Sequence, residues 1–203
     1  MDSLMTSPVK KALRPLLRTG ILCCVVATMC KPALSITLES RKPAEHRLRM
    51  FNTHTGEQID IVYRRGNDYV VDALAQLDYF LRDHRTGDVH HFDPRLYDVL
   101  ERLTAAVGRL GAEIDVICGY RTPWSNNFLR THSPGVAEHS LHMQAEAIDI
   151  RMPGVNSERL REAALHLHEG GVGYYPHSNF VHVDVGRVRQ WCFGCTGEQM
   201  HAD

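Results

Sequence analysis

The sequence lacks a marked excess of charge of either sign. Its 203 residues contain 23 Lys and Arg against 24 Asp and Glu, which gives a net charge of −1. Loss of the leader described below would remove five basic residues and one acid and lower the net charge to −5. Proteins that bind nucleic acid usually carry a basic face, so we predict no nucleic-acid partner.

The chain also lacks a hydrophobic run that would span a bilayer comfortably. An apolar run at 21–30 follows four basic residues and precedes the small residues Ala33 and Ser35. This order is typical of a secretory signal peptide. We predict that residues 1–35 are such a peptide, that the mature chain is periplasmic, and that it is not stably inserted in a membrane. An uncleaved inner-membrane anchor is the alternative.

Cysteine is scarce beyond the leader, where only Cys118, Cys192 and Cys195 remain. A four-ligand structural zinc would need a second pair to complement the single C-x-x-C at 192–195. A thioredoxin-like role would need that pair within a strand–helix–strand unit. Export favours a local disulfide between Cys192 and Cys195, with two free thiols as the alternative.

Hydrophobic periodicity predicts strands interspersed with helices. Alternation predicts a hairpin over 46–63, strands at 113–118 and 145–151, and a last hairpin over 172–185. A period near 3.6, together with capping residues, predicts three helices: 70–84, Asp93-Pro94 to Gly111, and Asn156 or Ser157 to Leu167. No regular strand–helix alternation is present, so the predicted class is α+β, an antiparallel sheet with flanking helices.

Three residues carry the chemistry that the sequence predicts. His142 lies seven residues before Asp149, which is in a predicted strand, and His182 lies in the last hairpin. Two imidazoles and one carboxylate are the protein ligands of an open zinc site whose fourth position holds water. For each of these residues taken singly, an ordinary structural role is the alternative to metal binding. An iron oxygenase is a rival interpretation of His182 and Asp184, but of the histidines only His201 follows them.

The motifs around these residues resemble a known family. They are Cys118-Gly-Tyr-Arg-Thr-Pro123, Ser140-x-His142, Ala147-x-Asp149, Gly170-Gly-Val-Gly-Tyr-Tyr-Pro176, Phe180-Val-His-x-Asp184-x-Gly186 and Trp191. Together they resemble exported bacterial murein endopeptidases of the Hedgehog/D-Ala-D-Ala-peptidase zinc fold, a branch formerly labelled a domain of unknown function. The resemblance covers residues 46–191 and implies a zinc peptidase domain there, followed by a C-terminal tail at 192–203. Residues 36–45 are mostly polar and are predicted to be a linker.

The resemblance also implies an activity and a metal. His142, Asp149 and His182 would bind Zn²⁺, and the enzyme would hydrolyse peptide cross-links between the stem peptides of peptidoglycan. A carboxypeptidase or dipeptidase that releases D-Ala is one alternative. A murein-binding protein without catalytic activity is the other. The sequence leaves the scissile bond and the oligomeric state open.

Further site residues have roles beyond metal binding. The resemblance implies that Arg121 binds a substrate carboxylate or stabilises the oxyanion, with a surface arginine paired to a nearby acid as the alternative. Related enzymes often place Glu or His two or three residues before the last ligand, where this chain has Asn179 and Phe180. Three residues are therefore proposed as the general base, in the order Asp184, His177 and His139.

Asp184 has a second possible role, because a carboxylate near a ligand histidine can orient the imidazole ring instead of taking a proton. The chain also departs from the family pattern at two positions, with Ala145 where Gly is frequent and Cys118 where Ser is frequent. Cys118 is expected to be a small buried residue, with a fourth metal ligand as the alternative.

Overall fold

The computed structural model describes residues 42–195. They form eight strands: β1 (Glu45–Asn52), β2 (Gln58–Arg65), β3 (Asp68–Tyr69), β4 (Glu113–Cys118), β5 (Ala147–Arg151), β6 (Gly171–Tyr175), β7 (Phe180–Asp184) and β8 (Arg189–Cys192). The α-helices are α1 (Val71–Phe80), α2 (Arg95–Ala106), α3 (Pro123–His132) and α4 (Ser157–Leu167). The predicted signal peptide, most of the predicted linker and the last eight residues of the predicted tail lie outside the described residues.

All eight strands belong to one sheet, with the order β3-β2-β1-β4-β5-β7-β6-β8. The α+β class is confirmed. The sheet is mixed, however, because β1 pairs with β4 and β6 pairs with β8 in parallel, while the other five pairings are antiparallel. Alternation along a strand shows which side is buried but carries no information on the direction of its neighbour, so the two parallel pairs were not predicted.

The two predicted hairpins are confirmed. In the first, Asn52 accepts hydrogen bonds from the amides of His54 and Thr55, and Gly56 closes the turn with a φ of 73°. In the second, β6 and β7 pair through a turn in which Asn179 has a φ of 52°. Asn and Gly adopt this left-handed conformation more readily than other residues do.

The helix boundaries differ from the prediction where tertiary contacts intervene. Helix α1 ends at Phe80 rather than near His84, and the carbonyl of Leu81 accepts a hydrogen bond from the amide of Tyr120. Helix α2 ends at Ala106 because Gly108 turns the chain with a φ of 73°. Leu110, which the pattern placed on the apolar face of α2, is 72% exposed as a result.

Helix α3 and strand β8 were not predicted. Helix α3 begins with Thr122, whose side chain accepts a hydrogen bond from the amide of Ser125, and with a proline in the first turn. Both features favour a helix start. Only Ser125 and Asn126 of this helix are buried, so its sequence has no apolar periodicity to reveal it.

The central strands separate the hydrophobic core from the polar residues of the opposite face. Ile148 and Ile150 of β5 and Val181 and Val183 of β7 are buried in the core. Helix α4 packs on β6 and β7, and α2 packs on β1 and on α4. Successive side chains of a strand point to opposite faces, so the residues between these aliphatic positions face the other side of the sheet. Within residues 42–195, no helix has the length and hydrophobicity of a membrane span.

Candidate metal centre

The polar face of the sheet carries a row of residues in direct register. Cys118 of β4 lies opposite Asp149 of β5, and Asp149 lies opposite His182 of β7. The register of β4 against β5 shifts between Val116 and Cys118. A bulge of this kind re-aims the side chains that follow it, and here it brings Cys118 to the same face as Asp149.

His142 approaches this row from above the sheet. It lies in a 3-10 helix, Leu141–Gln144, which begins at Ser140 and ends at Ala145 in the left-handed conformation with a φ of 53°. The side chain of Ser140 accepts from the amide of His142. The short helix and its turn therefore place a buried imidazole over a strand that carries a carboxylate.

The three predicted metal ligands converge on one point. Nε2 of His142 lies 3.2 Å from Oδ1 of Asp149 and 3.1 Å from Nδ1 of His182, and the last two atoms are 2.9 Å apart. Ligand atoms about 2.1 Å from a tetrahedral zinc lie roughly 3.4 Å from one another. The donor set and its spacing therefore fit a single divalent cation.

Hydrogen bonds on the far side of each ring determine which nitrogen faces the centre. Nδ1 of His142 lies 2.7 Å from the carbonyl oxygen of Gly119. A carbonyl only accepts, so this nitrogen carries the proton and Nε2 presents its lone pair. Nε2 of His182 lies 3.1 Å from Oδ2 of Asp184, which leaves Nδ1 directed to the centre. Such outer partners hold metal-binding imidazoles in the required tautomer and orientation.

Asp184 is buried and has a full set of donors. Its carboxylate accepts from the amides of Gly171 and Gly186 and from two nitrogens of Arg189, besides the contact with His182. Burial alone would raise the pKa of Asp184, but the hydrogen bonds from His182 and Arg189 lower it. This geometry favours the orienting role over the role of general base, because Asp184 lies behind His182 and not on its metal-facing side.

The electrostatics of the three residues reflect their burial and their contacts. Burial lowers the pKa of His142. Burial also opposes ionisation of Asp149, but the contacts with the two imidazoles outweigh it and lower the pKa of that carboxyl. Burial also disfavours charge on His182, but its hydrogen bonds to Asp149 and Asp184 raise its pKa. The lowered pKa of Asp149 keeps that carboxyl ionised, and the lowered pKa of His142 keeps that imidazole neutral, as metal ligands must be. The raised pKa of His182 means that a metal would displace a proton from this ring.

Arg121 is a buried cation beside the three residues. Its side chain is 8% exposed, its Nη2 donates to Ser140 Oγ at 3.0 Å, and its backbone amide donates to the carbonyl of His142. Its Nε has no hydrogen-bond acceptor among residues 42–195. Buried charges are usually paired. The hydrogen bond described for this guanidinium goes to a neutral hydroxyl, so its charge is available to an anion in the cleft that Arg121 lines.

The other predicted residues fall at different distances from the centre. Cys118 Sγ lies within 4.8 Å of donor atoms of His142 and Asp149. Cys118 is half-buried and not fully buried as predicted. In the metal-free protein, burial raises the pKa of its thiol to about 12. A bound cation would itself deprotonate the thiol, so the role of fourth ligand stays the alternative for Cys118. His139 is exposed and lines the cleft above the centre, whereas His177 is exposed and is not among the residues that line it.

An open cleft of about 710 Å³ lies over the centre. Tyr175 of the Gly170–Pro176 motif lines this cleft, as do four residues that were not identified from the sequence: His54, His84, Arg85 and Phe193. The rings of His54 and His84 stack at 3.9 Å, and Trp191, at the end of the motif set, donates to the hydroxyl of Tyr175 at 3.1 Å. Only long-range pairing brings these residues together, so local patterns could not reveal them.

This α+β fold presents two histidines and a carboxylate to an open cleft. Such an arrangement is that of a metallopeptidase. Residues 40–191 match the M15 peptidase family described as peptidoglycan L,D-endopeptidase MepK. The chain belongs to this family.

Two relatives support the same conclusion. The peptidoglycan L,D-endopeptidase MepK of Escherichia coli K12 is 40% identical over 178 residues, which are 88% of this chain and 96% of that protein. A probable peptidoglycan L,D-endopeptidase MepK of Haemophilus influenzae is 42% identical over 149 residues, or 73% and 80% of the two chains. No solved structure matches the chain. The predicted peptidase family is confirmed, while the ligand set and the metal stay predictions.

Proposed function

We propose that this protein is an exported, zinc-dependent endopeptidase that hydrolyses L,D cross-links between the stem peptides of peptidoglycan. The observation that carries the proposal is the convergence of His142, Asp149 and His182, whose donor atoms lie within 3.2 Å of one another under an open cleft. The printed activity of relatives at 40% identity supports the substrate. The basic and apolar pattern of residues 1–35 supports export to the periplasm.

The residues fit a zinc ion by their chemistry. Nε2 of His142, Oδ1 of Asp149 and Nδ1 of His182 would hold it, and the outer hydrogen bonds of both rings leave these atoms free to do so. Zinc in such a site supplies a water of lowered pKa and polarises the substrate carbonyl. The carbonyl of Gly119 and the carboxylate of Asp184 would keep the two imidazoles in place throughout turnover.

Arg121 is assigned the recognition of a carboxylate next to the scissile bond. Stem peptides are rich in carboxylates, and a guanidinium can bind one through two parallel hydrogen bonds. Arg121 is already oriented by Ser140, and its Nε has no acceptor within the described part of the chain. Binding a substrate carboxylate would neutralise this buried charge, which gives the substrate a source of affinity.

Proton transfer is assigned to His139 by elimination among the three residues proposed from the sequence. The carboxylate of Asp184 lies behind His182 and already accepts hydrogen bonds from its neighbours. His177 does not line the cleft, whereas His139 does. A base must reach the attacking water directly or through one further water. Replacing His139 by Gln should lower kcat about 100-fold or more, while His177→Gln should leave kcat unchanged.

Digestion of purified sacculi tests the proposal directly. The mature chain is incubated with sacculi that contain L,D cross-links, with and without a chelator, and the products are identified by mass spectrometry. We expect chelator-sensitive loss of cross-linked dimers and recovery of activity on adding zinc. Release of free D-Ala with intact cross-links would favour the carboxypeptidase instead.

A His142→Ala variant separates the enzyme from a murein-binding protein without catalytic activity. We expect this variant to lose cleavage. We also expect it to fold, because His142 is a polar residue of the site and is not part of the hydrophobic core. If wild type and variant bound sacculi equally and neither cleaved them, the binding function would replace the enzyme.

A further inference from the structure

A disulfide-closed turn extends the sheet beyond the part of the chain that matches the family. Strand β8 ends at Cys192, and a disulfide joins Cys192 to Cys195 around Phe193 and Gly194. This is the pairing that the sequence favoured over two free thiols. The family match ends at residue 191, so this turn is an addition to the matched domain.

The turn is attached to β6, the strand that pairs with the His182-bearing strand β7. The amide of Phe193 donates to the carbonyl of Tyr174 at 2.9 Å, and β8 pairs with β6 in register up to Cys192. Cys192 and Cys195 both pack against the hydrophobic core. Gly194 has a φ of 86°, and a Cβ there would lie 2.5 Å from His177. The position of the Phe193 ring is therefore constrained on several sides.

The ring of Phe193 lies against a second wall of the cleft. A Cβ built on Gly135 would lie 2.9 Å from Cδ2 of Phe193, so the ring contacts the backbone of the loop that follows α3. On its other side the ring lies 6.0 Å from the ring of Tyr175. Phe193, Gly135 and Tyr175 all line the same cleft as the three predicted metal ligands.

Phe193 nevertheless remains 41% exposed. An aromatic ring that is anchored by a disulfide and a backbone hydrogen bond, yet left open towards a cleft, can bury its free area under a ligand at little entropic cost. The stem peptide offers apolar groups of suitable size in its alanine methyls and in the aliphatic chain of its diamino acid.

We propose that Phe193 is a specificity-determining residue that packs on the aliphatic part of the bound stem peptide, and that the Cys192–Cys195 disulfide positions it. The inference rests on the proposed function and adds a contact that lies outside the metal centre. Phe193 acts in binding and makes no contact with the reacting atoms, so its loss affects substrate affinity before it affects the chemical step.

Steady-state kinetics of the zinc-loaded enzyme on a soluble L,D-cross-linked muropeptide dimer test this contact. For Phe193→Ala we expect KM to rise about tenfold with kcat within about twofold. Phe193→Leu, which keeps an apolar side chain, should recover most of the affinity. Phe128→Ala is the matched control, because Phe128 is 40% exposed and is not among the residues that line the cleft.

A double variant, Cys192→Ser with Cys195→Ser, tests the role of the disulfide. It retains the ring but frees the turn, so KM should rise by about threefold to tenfold while kcat is kept. Binding of an uncross-linked stem tetrapeptide to the chelator-treated protein, measured by calorimetry, should weaken in the same order across the variants. This binding does not depend on turnover.

The outcomes separate this inference from the proposed function. Unchanged KM and unchanged peptide binding in both Phe193→Ala and Phe193→Leu would overturn the role of Phe193, although chelator-sensitive cleavage would still stand. If Phe193→Ala does not fold, the Leu variant decides: a KM equal to that of wild type overturns the inference. Absence of cleavage by the wild-type enzyme would instead count against the proposed function, and peptide binding would still report on Phe193.

Discussion

The two faces of strands β5 and β7 differ completely in what they bury. One face presents Ile148, Ile150 and Val181 to the helices, and the other presents Asp149 and His182 to the cleft. Both sets belong to the same ten residues, and none of these side chains belongs to a residue that is more than 8% exposed. Successive side chains of a strand point to opposite faces of the sheet. Each site residue of β5 and β7 is therefore the immediate neighbour in sequence of a core residue.

This comparison has an energetic consequence. The apolar face stabilises the fold by removing aliphatic surface from water. Burial of the polar face costs free energy, because a carboxylate and two imidazoles lose their contacts with water. Their mutual contacts and, in our account, a metal ion offset this cost. Substitutions on the two faces should therefore separate into losses of activity and losses of stability.

The largest expected effect is that of Asp149→Asn. Asparagine keeps the size of the side chain but removes the negative charge that would bind the cation. Cleavage by the folded protein should fall on the order of a thousandfold or more, whereas the free energy of unfolding of the metal-free protein should fall by only about 1–3 kcal/mol, because His142 and His182 lose a charged partner. Muropeptide assays and chemical denaturation of the same preparation measure both quantities. A fall in cleavage no larger than the loss of folded protein would show that the role of Asp149 is only structural.

Ile150→Ala should give the opposite result. Ile150 is fully buried in the core beside the site residue Asp149. Its truncation should cost about 2–5 kcal/mol of unfolding free energy through lost burial and a residual cavity. The activity of the remaining folded molecules, normalised to the folded fraction from circular dichroism, should stay near that of wild type. A specific loss of kcat would mean that the two faces are coupled.

Asp184→Asn should have a smaller effect on the metal. The amide can still contact the ring of His182 but no longer carries the charge that faces it and Arg189. Loss of such an outer partner typically weakens metal binding about 10- to 100-fold. Competition with a chromophoric chelator measures the zinc affinity. Unchanged affinity together with lost turnover would restore Asp184 as the general base.

The smallest expected effect concerns the buried Asp83, which accepts from the amide and hydroxyl of Thr122 and from the amide of Arg85. Burial opposes its charge, but these hydrogen bonds lower the pKa of Asp83 below its usual value. A carboxyl with a lowered folded-state pKa contributes stability above its unfolded pKa of about 4, and this contribution is lost as pH falls through the folded pKa.

Asp83→Asn should accordingly lower the unfolding free energy at pH 7 by about 1–2 kcal/mol, and this difference should shrink as the pH approaches 3. Denaturation of both proteins at several pH values checks it. A difference that is independent of pH would mean that shape, and not charge, is what Asp83 provides.

Much of the fold followed from patterns that are local in sequence. The hairpin around Gly56, the helix that begins after Pro94 and the strand that carries Asp149 each have their periodicity or turn residue within a few positions. The approach of His142, Asp149 and His182 was also expected, because the ordered motifs resemble those of a known family. These features depend on which residues are apolar and on short spacings.

The features that were missed depend on contacts between distant segments. The parallel pairing of β8 with β6 places Trp191 beside Gly173, and the missing side chain of that glycine leaves room for the indole. The contact between Phe193 and Gly135 likewise joins residues nearly sixty positions apart. No local pattern encodes such partners.

X-ray absorption of the zinc-loaded wild-type protein tests the central claim most directly, because it identifies the atoms bound to the metal. We predict one zinc per chain with two imidazole nitrogens and light oxygen atoms at roughly 2.0–2.2 Å, and no sulfur. A sulfur shell at about 2.3 Å would place Cys118 among the ligands. Fewer than two imidazoles in the first shell would contradict the account.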